Sequence, residues 1–170
     1  MEKAKEQYSQ IGYLSVTESA ANTLTFNGLS VFSNVLGQKG MIIHRADYSI
    51  SSTTLGILAA SQDGFSLGLA GSDALSSIAL NDPEVYDYVF LSRRDYGTAA
   101  SALILQFPIE RDFTQLPGGG LLVPADRLFG YFEGVNLSNP GGVTIRFWYT
   151  IIDLSAADYL ELAQSMRVLK

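Results

Sequence analysis

The sequence predicts an all-β domain, a sandwich or a barrel, with one short α-helix at its C-terminal end. Three observations lead to this class. Most apolar segments are short and alternate with polar residues, which is the period of a β-strand. Residues that favour turns separate these segments. None of the segments has the periodicity of a long helix. The 170 residues suit one domain, and 47% hydrophobic residues supply a full core.

Alternating apolar residues place the strands. In Ile11–Thr17, Leu14 and Val16 oppose Tyr13 and Ser15. The residues of Gly40–Ile50 that we expect on one face are Ile42, His44, Ala46 and Tyr48. The last strand has an apolar face of Val143, Ile145, Phe147, Tyr149 and Ile151, opposite Thr144, Arg146, Trp148 and Thr150. The other predicted strands are Thr23–Phe26, Leu29–Phe32, Leu55–Ala60, Phe65–Ala70, Val85–Leu91, Thr98–Phe107, Leu121–Val123 and Leu128–Leu137.

Turn residues predict how the strands connect. Asn27-Gly28 lies between two alternating runs and predicts a type I′ hairpin, because both residues tolerate positive φ. Ser61–Gly64 predicts a second turn, and Ser138–Gly142 joins the last two strands as a long pair. Asn81–Glu84 predicts a helix of one or two turns, because Asp82 suits a cap and proline follows it.

The end of the chain carries the clearest helix signal. Ser155 precedes the carboxylate of Asp158 by three residues, as in a capping box, and apolar residues then recur at helical spacing. We therefore expect one β-sandwich domain over residues 1–170, with an N-terminal arm at 1–10 and a helix at 155–168. The helix packs either on its own sandwich or on a neighbouring copy.

Charged residues are scarce and unevenly distributed. The chain has 11 basic and 17 acidic residues, for a net charge of −6, where average usage gives about 42 charges for this length. Interfaces with copies or partners explain such a shortage, and so does polarity supplied by 18 serines and 9 threonines. The stretch from Arg45 to Arg93 contains six acidic residues and no intervening lysine or arginine. We therefore expect no direct binding of nucleic acid.

The chain also lacks signals for export and membrane insertion. Met1–Gln7 mixes both charges without an apolar core, so we expect no secretory signal peptide. No uncharged window approaches the 18 or more consecutive apolar residues of a membrane-spanning helix, which predicts a soluble or peripheral protein. The absence of cysteine excludes disulfides and thiolate ligands.

No pattern in the sequence carries a recognisable catalytic chemistry. Pro117–Gly120 precedes Leu121 rather than the Lys-Ser/Thr of a phosphate-binding loop, so we interpret it as a tight turn. His44 is the single histidine, and we expect a structural or surface role for it. Asp82, Glu84 and Asp87 lie close in sequence, but their spacing matches no calcium loop.

Two constellations stay open at this point, because residues from different strands leave no local signature. Glycosidic chemistry needs two carboxylates, for which the pool is Glu110, Asp112 and Glu133. A sugar-binding platform needs exposed aromatic rings, for which the candidates are Trp148, Tyr131 and Tyr149. We predict that the protein is not an enzyme and holds no cofactor or metal.

Three stretches of the C-terminal half stand out together: Tyr96–Ala100, Phe113–Pro124 with its Leu-Pro-Gly-Gly-Gly-Leu-Leu-Val-Pro, and Val143–Lys170, where a long final strand leads into the helix. In these stretches the chain resembles a single jelly-roll capsid protein of a tailless icosahedral virus. The resemblance implies a jelly-roll β-sandwich of about eight strands in two four-stranded sheets. It also implies a homo-oligomeric structural protein that self-assembles through charge-poor surfaces into a capsid shell, located in the virion.

The chain departs from many small coat proteins at its N-terminus. Their Arg/Lys-rich arm neutralises the packaged genome, whereas residues 1–10 here hold only Lys3 and Lys5, opposed by Glu2 and Glu6. The expected partners are therefore copies of itself, other virion proteins and, peripherally, an internal membrane. The alternative function is a carbohydrate- or receptor-binding β-sandwich, such as a lectin-like module or a virion spike or fibre head.

Overall fold

The computed structural model describes residues 9–29, 39–51, 62–94, 108–124 and 127–165. These residues form two antiparallel sheets and one short helix, which confirms an all-β sandwich. The strands are β1 (Gln10–Thr17), β2 (Thr25–Gly28), β3 (Lys39–Ile50), β4 (Gln62–Ala70), β5 (Val85–Arg94), β6 (Ile109–Asp112), β7 (Leu121–Pro124), β8 (Phe129–Val135) and β9 (Gly142–Asp153). The helix, α1, spans Ala156–Ser165.

Each sheet combines strands that are distant from one another along the chain. The five-stranded sheet has the order β1-β9-β3-β6, and β7 pairs with β3 as well. β6 pairs with the later half of β3 and β7 with its earlier half. The four-stranded sheet has the order β2-β8-β4-β5. The first and last strands of the described chain are therefore neighbours, and every pairing is antiparallel.

The core lies between the inner faces of the two sheets. On β9, Val143, Ile145, Phe147 and Tyr149 are buried, which confirms the apolar face predicted for this strand. On β1, Leu14 and Val16 are buried and Tyr13 is exposed, again as predicted. The four-stranded sheet contributes Phe65, Leu67, Leu69 and Phe132, and the rings of Phe65 and Phe132 stack 5.6 Å apart.

A β-bulge at His44 makes the predicted face of β3 wrong. Ile43 pairs with Tyr149 and Arg45 pairs with Trp148, so His44 is an extra residue opposite β9. An extra residue shifts the alternation by one position. Met41 and Ile43 consequently face the core before the bulge, and Ala46, Tyr48 and Ile50 face it afterwards.

The predicted Asn27-Gly28 hairpin is also wrong, because both residues belong to β2. Asn27 pairs with Gly130 and Gly28 pairs with Phe129 of β8. The Asn27 side-chain amide donates a hydrogen bond to the carbonyl oxygen of Ser15, 2.7 Å away. Pairing with β8 and this link to β1 therefore outweigh the local preference for a turn.

Three further predictions about connections fail for related reasons. Asp63 and Gly64 lie in β4, opposite Arg93 and Ser92, rather than in a turn. Residues 81–84 form turns without a helix, because β5 already begins at Val85 in a run rich in Tyr, Val and Phe. β8 and β9 do not pair; they lie in different sheets.

A buried carboxylate fixes the crossing from β8 to β9. Glu18 accepts hydrogen bonds from the backbone N–H groups of Thr23, Gly134 and Gly141 at 3.0, 2.7 and 2.7 Å. Such groups need a partner when they are removed from water. Glu18 therefore ties the loop after β1 to the loop between the two sheets.

The C-terminal helix begins as predicted. The Asp158 N–H donates to Ser155 Oγ at 3.1 Å, so Ser155 caps the helix, and the Ser155 hydroxyl donates to the Asp158 carboxylate at 2.6 Å. The helix contacts β7 of its own chain. Its predicted residues 166–168 lie outside the described residues, as do the predicted strands Leu55–Ala60 and Thr98–Phe107 and most of the arm at 1–10.

We predict that a disulfide can join the first strand to the last. Ser15 lies opposite Thr144, with the two side-chain oxygens 3.3 Å apart, and the chain has no cysteine of its own. The double variant Ser15→Cys/Thr144→Cys should oxidise completely by mass spectrometry and gain about 4–5 kcal/mol in the free energy of unfolding, because the closed loop is long.

The matched control is Ser15→Cys/Ser49→Cys. Ser49 pairs with Thr144 from the other side, so it lies two strand spacings, or about 9–10 Å, from Ser15. This distance exceeds the reach of a disulfide. Equal oxidation of both pairs would contradict the order β1-β9-β3.

Candidate functional site

The glycine-rich stretch and the single histidine that the sequence singled out both make structural contacts. Gly118 and Gly119 have φ of +91° and +78°, so Pro117–Gly120 is the predicted turn. The His44 Nδ1–H donates to the Gly119 carbonyl at 3.0 Å. Its Nε2 lies 2.9 Å from Thr150 Oγ1 and accepts from that hydroxyl in the neutral ring. His44 thus attaches the glycine turn to the sheet, as a structural role predicts.

Two of the carboxylates considered for calcium, Asp82 and Asp87, have separate structural roles. Asp82 accepts from the Glu84 N–H at 2.9 Å and shapes the turn before β5. Asp87 points between the sheets and is buried. No group of three or more potential metal ligands occurs among the residues that the structure describes.

The other predicted constellations are not brought together. Glu110 pairs with Arg45 at 2.8 Å, and Asp112 accepts from both the N–H and the hydroxyl of Thr114. Glu133 lies on β8, in the other sheet. The three aromatic candidates for a sugar platform also separate, since Tyr149 faces the core, Trp148 faces outward from the five-stranded sheet, and Tyr131 is fully buried.

A buried cluster that the sequence did not indicate connects the two sheets. Asp87 of β5 accepts a hydrogen bond from the Tyr48 hydroxyl of β3 at 2.7 Å. It also accepts from Arg111 Nε and Nη2 of β6, at 3.0 and 2.8 Å. Burial, together with the charge of Asp87, raises the pKa of Tyr48 well above its usual value. The phenol therefore stays protonated and remains a donor to Asp87.

A cleft of about 380 Å³ opens beside this cluster. Tyr86, Phe113 and Leu116 form its apolar part, and Asp87, Arg111 and Glu110 are among its polar residues. These charged groups are already paired, Asp87 with Arg111 and Glu110 with Arg45. The cleft therefore offers a bound ligand few charged groups that are not engaged within the chain.

The outer side of the five-stranded sheet presents a surface of different character. Strand pairing aligns Ile11 with Trp148 and Arg45, and it aligns Tyr13 with Arg146 and Asp47. We call the part on the first and last strands the β1–β9 face, and its members are Ile11, Tyr13, Ser15, Thr144, Arg146 and Trp148. Ile11 is 51% exposed and Tyr13 is 61% exposed, although both are large side chains with apolar surface.

A buried carboxylate holds the charged part of this surface in place. Asp47 binds Arg45 at 2.7 Å and Arg146 at 2.8 Å. Its side chain is 3% exposed, whereas those of the two arginines are 40% and 45% exposed. Arg45 is shared with the exposed carboxylate of Glu110, 2.8 Å away, so the positive charge that reaches solvent here is mainly that of Arg146.

The two guanidinium groups also fix the only tryptophan. The Arg45 and Arg146 Cζ atoms lie 4.9 and 4.6 Å from the centre of the Trp148 ring, within the range of cation–π attraction. Burial by itself raises the pKa of Asp47, but the hydrogen bonds and charges of Arg45 and Arg146 outweigh it, so the pKa lies below its usual value. Asp47 therefore remains ionised and keeps both arginines in position.

The composition and the fixed geometry of this surface resemble those of a macromolecular interface. Tryptophan, tyrosine and arginine are the residues most often found at the energetic centres of interfaces. The arginines and Trp148 are held in one geometry by Asp47, so less side-chain entropy is lost on binding. The β1–β9 face is therefore the candidate functional site.

Part of this site follows from the sequence alone. The alternation of β9 places Arg146 and Trp148 on its mixed face, and that of β1 places Tyr13 opposite the core. The pairing of Asp47 with Arg146 spans 99 residues and has no local signal.

No protein-family model matches the chain. No curated protein sequence matches it either. No helix in the described part of the chain is long and apolar enough to span a membrane.

We predict that Tyr48 and Asp87 stabilise the sandwich as a pair. Asp87→Asn should lower the free energy of unfolding by roughly 2–4 kcal/mol, because Arg111 loses its buried counter-charge. Tyr48→Phe should lower it by about 1–2 kcal/mol, because Asp87 then loses a donor. Urea unfolding of both variants and the double variant gives the coupling. The loss of unfolding free energy in the double variant should be smaller than the sum of the two single losses by about 1 kcal/mol or more.

Tyr13→Phe is the matched control for the loss of a tyrosine hydroxyl. Tyr13 is exposed, so its variant should unfold like the wild-type protein. Additive losses in the double variant would show that the two sheets are not joined through this contact.

We predict that Asp47 makes stability depend on pH in the acid range. Its folded pKa lies below the usual 3.8, so its contribution is present above that value and is lost as the pH falls through the folded pKa. Urea unfolding followed by Trp148 fluorescence should show Asp47→Asn less stable than wild type at pH 7. The difference should shrink below about pH 4. A difference that stays constant into the acid range would contradict the assigned ion pairs.

Proposed function

We propose that the protein is a structural virion protein with a single jelly-roll fold, which self-assembles through charge-poor sandwich surfaces into a capsid shell. The observation that carries the fold part of this proposal is the nested pairing of the strands. β4 pairs with β5, β3 with β6 and β7, β2 with β8, and β1 with β9. If β6 and β7 count as one interrupted strand, these are the four nested strand pairs of a single long hairpin.

The remaining pairings are those that fold such a hairpin into two layers. β9 also pairs with β3, and β8 also pairs with β4. Wrapping of this kind gives two four-stranded sheets between which successive strand pairs alternate, and this supports the proposed jelly roll. Virus coat proteins use this fold, and so do lectin domains and cupins, so fold alone leaves the function open.

The surface favours assembly among these functions. Large hydrophobic side chains are exposed at separate places on the sandwich, for example Ile11 and Tyr13 on β1 and Leu80 between β4 and β5. Interfaces are depleted in Lys, Glu and Asp and enriched in aromatic residues, and this chain has 16% charged residues and 19 aromatic residues (9 Tyr, 9 Phe and 1 Trp). The separated positions suit a subunit that contacts more than one neighbour.

The charge balance favours partners other than the genome. The net charge is −6 and the isoelectric point is about 4.6, so the subunit as a whole repels nucleic acid. Such a subunit suits a shell built from copies of itself over an inner layer or an internal membrane, in contact with other virion proteins.

We predict that the purified protein forms large, closed homo-oligomers. Sedimentation velocity over a range of protein and salt concentrations should show one discrete large species, and negative-stain micrographs should show shells or rings. Trp148, the single tryptophan, reports the β1–β9 face, so its emission should shift to shorter wavelength on assembly. A species that remains monomeric across these conditions would overturn the proposal. Binding of a glycan by that monomer would favour the carbohydrate-binding alternative instead.

A further inference from the structure

We infer that an acidic loop of one copy docks on the β1–β9 face of a second copy, in a head-to-tail contact. The loop is Gly71–Glu84, which connects β4 to β5, and we call it the β4–β5 loop. The inference rests on the proposed function, because it names the contact through which copies assemble.

The β4–β5 loop is a folded projection rather than an extended connection. Its two ends meet where the Gly71 N–H donates to the Glu84 carbonyl at 2.7 Å. Within it, the Ala74 N–H donates to Ser72 Oγ at 3.2 Å, and the Asp82 N–H donates to the Ala79 carbonyl at 2.9 Å. Compact loops of this length with closed ends hold a defined shape and are frequently functional.

The loop combines an exposed apolar side chain with acidic residues. Leu80 is 78% exposed, more than any other large hydrophobic residue of the described chain. Asp73 is exposed nearby in sequence, and the loop contains Asp82 and Glu84 but no lysine or arginine. A solvated leucine on a defined turn loses little conformational entropy when a partner covers it.

The β1–β9 face is complementary to the β4–β5 loop in both apolar surface and charge. Ile11 and Tyr13 supply exposed apolar surface, on which Leu80 would lose its contact with water. Arg146 supplies the exposed positive charge, because its partner Asp47 is buried. β1 carries no charged residue, so nothing on that strand opposes an acidic loop.

A contact between two different surfaces has a definite consequence for assembly. Each copy keeps an unused loop and an unused face after its first contact, so the interaction propagates until a ring closes. A two-fold contact between identical surfaces stops at a dimer. The proposed shell needs a propagating contact, and the loop and the face provide one.

Two double variants, each of which disrupts one side of the contact, test this inference. The face variant is Ile11→Ser/Tyr13→Ser, and the loop variant is Asp73→Lys/Leu80→Ser; all four side chains lie at the surface. Each variant alone should be monomeric by sedimentation velocity, because one half of every contact is missing. An equimolar mixture should give a heterodimer that does not grow, since only the loop of the face variant meets an intact face. Its dissociation constant should rise with ionic strength, because Asp73 and Arg146 are screened.

Phe90→Ser is the matched control, because Phe90 is 48% exposed on the other sheet. It should assemble like the wild-type protein, and equal melting temperatures of all variants exclude misfolding. A face or loop variant that assembles like wild type would overturn this inference and leave the proposed function intact. A mixture that stays monomeric would also overturn it, since the two surfaces then do not bind each other. A monomeric wild-type protein would instead overturn the proposed function.

Discussion

The architecture depends on β9, which pairs along both of its edges and separates the core from the candidate site. It lies between β1 and β3, with β1 paired to Gly142–Tyr149 and β3 to almost its full length. Its inner side chains, from Val143 to Tyr149, fill the core, and its outer side chains Arg146 and Trp148 form the centre of the β1–β9 face. A change of register by one residue would exchange these two sets, so the same constraint that builds the core also builds the surface.

Two buried aspartates extend this constraint to the rest of the molecule. Asp87 receives hydrogen bonds from Tyr48 and Arg111 and thereby joins the four-stranded sheet to the five-stranded sheet. Asp47 acts within one sheet, where it aligns Arg45 and Arg146 across neighbouring strands. A carboxylate in such a place is costly unless its charge is matched. The few charges of this chain are thus used partly inside the fold.

The sequence predicts those features that follow from a local pattern. Alternation identifies β1 and β9 and assigns their two faces, and the Ser155–Asp158 spacing locates the helix start. Local patterns fail where a distant partner decides the outcome. Asn27-Gly28 favours a turn by itself but lies in β2 because β8 pairs with it. The bulge at His44 is defined by the pairing of β3 with β9, which lies far along the chain, so it leaves no local signal. The sequence predicts those members of the candidate site that alternation along a single strand identifies. It does not predict the contact of Asp47 with Arg146, because that contact depends on the pairing of β3 with β9.

The most direct test of the claim that the β1–β9 face and the β4–β5 loop are covered together is hydroxyl-radical footprinting of the assembled and the dissociated protein. Tyr13, Trp148 and Leu80 should lose reactivity in parallel on assembly, because each lies on one side of the same contact. Phe90, exposed on the opposite sheet, supplies an internal reference that this contact does not cover. Assembled particles in which Tyr13 and Leu80 remain as reactive as in the monomer would contradict the claim.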